Sequence, residues 1–171
     1  KITIVDYGSG NVLSAQKSFI KIAKDNNIEV DVLISKKLND VKNSTHIVLP
    51  GQGAFSTCMN GLKKTDGLID ELCEFALIKK KPFLGICVGM QMLANMSEEN
   101  GVHEGLGWID GQIKLLPGDN LKLPHMGWNL AIPTNSKYKN LISNKNDYYF
   151  VHSYYFDCAN KDNILAETKY G

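Results

Sequence analysis

The sequence predicts an α/β fold with a mostly parallel central sheet flanked by helices, followed by an antiparallel or mixed C-terminal portion. Three observations carry this. Short apolar runs rich in branched residues alternate with segments of helical period in the first half, each strand-like run ends in a glycine-containing or polar turn, and from Gly105 onward strand-like runs follow one another without helices between them.

Taken in order, Ile2 to Val5 reads as a first strand and Tyr7-Gly8-Ser9-Gly10-Asn11 as the turn after it. Asn11 is a good N-cap, and Val12, Ala15, Phe19 and Ile22 recur at the spacing of one helix face. Val30 to Ile34 and His46 to Leu49 read as the second and third strands, the latter leading into Pro50-Gly51-Gln52-Gly53. Leu68, Leu72, Phe75 and Leu77 suggest another helix, and Pro82 to Ile86 a fourth strand. Beyond it, Gly105 to Leu116, Leu121 to Ile132, Tyr148 to Phe156 and Ile164 to Thr168 read as strands and turns, with a polar turn at Ser143 to Asp147 too short for a linker. In a parallel sheet of this kind, active sites lie beyond the carboxyl ends of the strands, where the three glycine turns fall.

At 171 residues the chain fits a single domain, 1–171, in which about two thirds of the unfolded surface can be buried. Nineteen basic and 18 acidic residues leave a net charge of +1, so electrostatics makes no case for a nucleic-acid or membrane surface. Lys79-Lys80-Lys81 reads as a solvated helix end. No apolar stretch approaches the roughly 20 residues of a membrane span, and the opening Lys1-Ile2-Thr3-Ile4-Val5-Asp6 reads as a strand and not as a signal peptide, which points to the cytoplasm. Cys58, Cys73, Cys87 and Cys158 have no zinc-site spacing, so no metal is expected, and all but Cys87 read as packing thiols.

The exception sits in Lys81-Pro82-Phe83-Leu84-Gly85-Ile86-Cys87-Val88-Gly89-Met90-Gln91, a strand, a Gly-x-Cys-x-Gly turn and a helix start. Small residues either side of Cys87 permit the sharp elbow that exposes a nucleophile, and N–H groups at the start of the next helix favour negative charge there. Attack on a carbonyl or amide carbon is the chemistry that such a thiol suits. The adjacent Gly51 and Gly53 can turn backbone N–H groups toward one point, so N–H groups near Gly53 and Val88 are candidate holders of an oxyanion. Gly8-Ser9-Gly10 lacks the third glycine of a dinucleotide fingerprint, since position 13 is Leu13, and reads instead as a turn that approaches a neighbouring loop or subunit. Of the four histidines, His46, His103, His125 and His152, the last lies in an aromatic strand that can border the site, but the residues alone assign no base. Trp128, between Gly127 and Asn129, reads either as buried packing or as an interface anchor projecting from a turn; Tyr148, Tyr149, Tyr154 and Tyr155 leave the same choice open.

Five segments together resemble the class I glutamine amidotransferases, in the branch of the glutaminase subunits of imidazole glycerol phosphate synthase, along essentially the whole chain. They are Asp6-Tyr7-Gly8-Ser9-Gly10-Asn11, Leu49-Pro50-Gly51-Gln52-Gly53-Ala54-Phe55, Gly85-Ile86-Cys87-Val88-Gly89-Met90-Gln91, Pro124-His125-Met126-Gly127-Trp128-Asn129 and Tyr149-Phe150-Val151-His152-Ser153-Tyr154. The resemblance implies that Cys87 attacks the amide of glutamine, needs no cofactor, and supplies ammonia to a cyclase subunit with a (β/α)8 barrel. It assigns Gly51, Gly53, Val88 and Gln91 to the oxyanion and glutamine pocket, His152, Ser153 and Tyr154 to a substrate-holding strand, and Asn11, Trp128 and Tyr149 to the face toward the cyclase.

Two departures accompany it. The family's catalytic His-Pro-Glu motif does not occur between Lys1 and Gly171, so its expected place is a C-terminal part beyond Gly171, and His152 is not the family's base. Gln52 stands where the family usually has valine, which bears on how the oxyanion loop reorients. Alternative readings are a paralogue supplying ammonia for amidino-sugar synthesis, a catalytically silent binding subunit, and, with no support from the Trp128 segment, a cysteine peptidase or thiol-dependent chaperone.

Overall fold

Branched, apolar Ile2–Val5 forms β1 at the centre of a parallel sheet, between β2 (Val32–Ser35) and β3 (His46–Gly51), and β4 (Phe83–Cys87) adds to the far side of β3, giving the order β2-β1-β3-β4. The computed structural model describes residues 1–118, 121–134, 141–142 and 146–171, so positions 143–145 of the expected turn lie outside the described residues. The chain folds as two compact units, Lys1–Leu93 and Ala94–Gly171.

In the first unit, helix α1 (Val12–Asp25) starts where expected: the Asn11 side-chain oxygen accepts from the Ser14 N–H at 3.0 Å. Val12, Ala15 and Phe19 pack on Ile4, Val32 and Val48, but Ile22 is exposed and Ala23 takes the buried position, because the inward stripe advances one residue at the last turn. The neighbouring Thr3 points to the opposite face, as alternate residues of a strand must, and there its hydroxyl meets Ser44 at 2.5 Å beside the short helix α2 (Leu38–Lys42). Helices therefore cover both faces of the sheet, as predicted.

Helix α3 (Phe55–Lys63) was not among the predicted elements, although Phe55, Cys58, Met59 and Leu62 bury one side at helical spacing. Helix α4 (Leu68–Cys73) runs into a π-helical turn, Glu74–Ile78. Leu68, Leu72 and Phe75 are fully buried, each contributing about 1.5–3 kcal/mol by removal from water, while Leu77, two residues past Phe75 and so on the opposite side of the helix, is exposed. Lys81 is not free at a helix end: its ammonium donates to the Ser44 carbonyl at 2.9 Å and lies over the Phe75 ring. Helix α5 (Val88–Gln91) is a single turn.

The second unit is mixed. A four-stranded sheet has the order β11-β7-β5-β6, formed by β5 (Met96–Ser97), β6 (His103–Glu104), β7 (Gly111–Leu115) and β11 (Tyr154–Cys158), with β5 and β7 parallel and the other pairs antiparallel. Strands β8 (His125–Leu130) and β10 (Asp147–His152) make an antiparallel ribbon, and β9 (Ile132–Pro133) pairs with β12 (Ala166–Glu167). The long run predicted from Tyr148 to Phe156 is two strands, divided by a bend at Ser153 whose carbonyl accepts from the Leu116 N–H. Among the described residues, no helix is long and apolar enough to cross a membrane.

Candidate active site

Cys87 ends β4 with φ +55° and ψ −121°, a conformation that a residue with a Cβ adopts only under strain, and its thiol is free and exposed. Three glycines make the elbow possible by their missing side chains. A Cβ on Gly85 would lie 2.6 Å from the Cα of Met90, one on Gly89 1.8 Å from the Leu49 carbonyl oxygen, and one on Gly51 2.4 Å from the Gly89 nitrogen. The chain after the thiol thus presses onto the end of β3. Helix α5 is only one turn long, so no long helix dipole points at the sulfur.

Across the parallel ladder, Gly51 is the register partner of Cys87, so the candidate oxyanion loop begins beside the thiol. Gly51 is buried, whereas Gln52 and Gly53 are exposed, and Gly53 has φ +92° with open space where a Cβ would stand. The loop is held from beneath. Tyr7 donates its hydroxyl to the Pro50 carbonyl at 2.6 Å, and the Cys58 thiol donates to the Gln52 carbonyl at 3.5 Å. The Gly8-Ser9-Gly10 turn does approach this loop: a Cβ on Gly10 would stand 3.0 Å from Pro50. Burial, then the neighbouring Cys58 and Cys87 thiols, push the Tyr7 phenol well above its ordinary range, so it stays protonated and serves as a donor. Val88 and Gln91 are both buried on α5, and Asn11 is exposed at the cap of α1. The first unit therefore brings together Cys87, Gly51, Gly53, Val88 and Gln91.

The other residues that the resemblance assigns, His152, Ser153, Tyr154, Trp128 and Tyr149, stand on the second unit. His152 closes β10 and its Nδ1 donates to the Tyr154 carbonyl at 2.9 Å; its Nε2 is buried and has no hydrogen-bond partner among the described residues. His125, opposite it in the ribbon, is buried and stacked between Phe150 and Tyr170. Burial and then the proximity of His152 lower the basicity of His125. Trp128 lies mid-strand in β8 and not on a turn, 72% exposed, in an edge-to-face contact with its cross-strand partner Tyr149. Met126, Leu130 and Val151 share that ribbon face and are also exposed. His46 is exposed beside Thr45, and His103 lies in β6. Sequence reasoning missed Tyr7 and Cys58 as supports of the loop.

An exposed thiol on a strained elbow, with a glycine loop in register beside it, suits a thiol enzyme of acyl transfer, and the chain belongs to the class-I glutamine amidotransferases, whose family description, Glutamine amidotransferase class-I, matches residues 3–170. It is similar to imidazole glycerol phosphate synthase subunit HisH of Pelagibacter ubique, with 45% identity over 172 residues covering 99% of this chain and 81% of that protein. The HisH subunits of Rhodospirillum rubrum and Brucella abortus are 42% and 39% identical, each match covering 100% of this chain and 82% of the relative.

Proposed function

We propose that this chain is the glutaminase subunit of an imidazole glycerol phosphate synthase and that Cys87 is its nucleophile. The observation that carries the reading is the strained, exposed Cys87 in register with Gly51. The Cys87 thiolate adds to the side-chain amide carbon of glutamine, and the amide oxygen takes up the negative charge. N–H groups near Gly53 and Val88 hold that oxyanion. The tetrahedral intermediate collapses with loss of the nitrogen, which leaves as ammonia after protonation, and a glutamyl thioester remains. Water then attacks the thioester, releasing glutamate and restoring the thiol. Gln91, buried on α5 beside the thiol elbow, holds the substrate.

The ammonia passes to a (β/α)8 cyclase subunit, in a cytoplasmic heterodimer that requires no cofactor or metal. The exposed Trp128 and Tyr149 pair of the second unit contacts that partner, since aromatic residues of this kind anchor interfaces, and Asn11 of the first unit contacts it too. The test is glutamate release from glutamine by the full chain, wild type and Cys87→Ser, alone and with the cyclase plus its nucleotide substrate. A Cys87-dependent rate that rises with partner and nucleotide supports the proposal, and glutamate release that is absent or independent of Cys87 overturns it.

A further inference from the structure

We propose that Tyr7 and Cys58 are positioning residues for the oxyanion loop, acting on its two outer peptides, an inference that rests on the glutaminase reading above. Tyr7 reaches the loop from the end of β1, Cys58 from the middle of α3, and each donates to a loop carbonyl, Pro50 and Gln52 respectively. A trans peptide is planar, with its carbonyl and the following N–H pointing in opposite directions. Anchoring the Gln52 carbonyl toward buried Cys58 therefore aims the Gly53 N–H away from the core, on the side where solvent and substrate reach the loop. The Tyr7 bond fixes the last peptide of β3, from which Gly51 and the rest of the loop depart beside Cys87.

The surroundings leave both donors little freedom. Cys58 and Phe55 are fully inaccessible, Tyr7 is 6% exposed, and α3 lies against Tyr7 through Gly61, where a Cβ would stand 2.8 Å from the Tyr7 carbonyl oxygen. The loop itself supplies no comparable rigidity, since Gln52 and Gly53 are exposed and the Gly53 position is sterically open. Its shape is set from below by two side-chain donors. A hydrogen bond from a buried donor to a carbonyl that would otherwise turn to water fixes one peptide orientation out of two, and this acts on turnover and not on substrate affinity, because the oxyanion exists only after attack.

The test uses the full chain with its cyclase partner and compares Tyr7→Phe, Cys58→Ala and Cys58→Ser with wild type. Tyr7→Phe and Cys58→Ala are each expected to lower kcat for glutamate release about 10-fold, less than the loss of an oxyanion donor itself, with KM for glutamine within about 2-fold. Cys58→Ser keeps a donor and is expected to recover most of the rate. Alkylation of Cys87 by iodoacetamide, which needs the elbow but no oxyanion hole, is expected to proceed at the wild-type rate in all three. Unchanged kcat in both Tyr7→Phe and Cys58→Ala overturns the proposal, as does a parallel fall in kcat and alkylation, which signals damage to the whole unit. If wild type itself shows no Cys87-dependent glutamate release, the glutaminase reading fails first, and the proposal falls with it.

Discussion

A methyl group on Gly89 would sit 1.8 Å from the carbonyl oxygen of Leu49, closer than any packed pair of such atoms. The neighbour is backbone in the buried interior of β3, so it has no side chain to swing aside. Gly89→Ala is therefore expected to destabilise the fold by about 3 kcal/mol or more, or to prevent folding, through overpacking and backbone displacement. Gly53→Ala is the informative contrast. Its φ of +92° strains any L residue, but nothing lies within 4 Å of the added carbon, so a smaller loss of about 1–2 kcal/mol is expected. Urea unfolding of the two variants side by side checks the order; equal losses would refute the close-approach account of Gly89.

The thiol position stores strain of its own. Cys87 combines φ +55° with ψ −121°, where a Cβ costs about 1–3 kcal/mol, and glycine relieves this at the expense of a more flexible unfolded chain. Cys87→Gly is expected to raise stability by about 1 kcal/mol while abolishing glutamate release. A chemical-denaturation midpoint at or below that of wild type would mean that the elbow is not strained in the folded protein.

Much of this site was legible because its signals are local. Gly85, Cys87 and Gly89 announce the elbow within five residues, Asn11 announces the start of α1, and the branched runs announce β1 to β4. What was not legible depends on contacts distant in sequence. The bond from Tyr7 to Pro50 joins residues 43 apart, and no period or motif connects them. Helix α3 escaped because Ser56, Thr57, Asn60 and Gly61 are poor helix formers and mask the stripe of Phe55, Cys58, Met59 and Leu62. Leu77 failed as a buried residue because it lies two residues past Phe75, about 200° further round the helix and away from the face of Leu68, Leu72 and Phe75. The choice between buried and exposed Trp128 belongs to ribbon geometry: its side alternates with that of His125, which is buried.

That alternation lets the proposed partner contact of Trp128 be tested apart from folding stability. Trp128 and Tyr149 touch each other across β8 and β10 but are 72% and 54% exposed, so truncation removes little buried area from the isolated subunit. Trp128→Ala is expected to change folding stability by about 0.5 kcal/mol or less and to weaken binding to the cyclase subunit by about 2 kcal/mol, roughly 30-fold in Kd. Calorimetric titration reads the affinity and thermal melting the stability. A large loss of melting temperature with unchanged Kd would place the ring in the fold instead of the interface.

The other face of the same ribbon is expected to confer a pH dependence. His125 is buried between Phe150 and Tyr170, and desolvation, followed by the nearby His152, holds its basicity below the ordinary histidine value near 6.5. The unfolded chain then binds more protons than the folded one in this range, so stability rises with pH. This contribution is fully present above about pH 6.5, where His125 is neutral in both states, and is lost as pH falls from there toward the lower folded value. His125→Phe keeps a ring in the stack and removes the titrating group, although it also gives up the weak 3.5 Å contact from Asn129. Melting temperature measured from pH 7.5 down to 5 is expected to fall less steeply for His125→Phe than for wild type. Parallel curves for the two proteins would show that protonation of His125 is not what acid acts on.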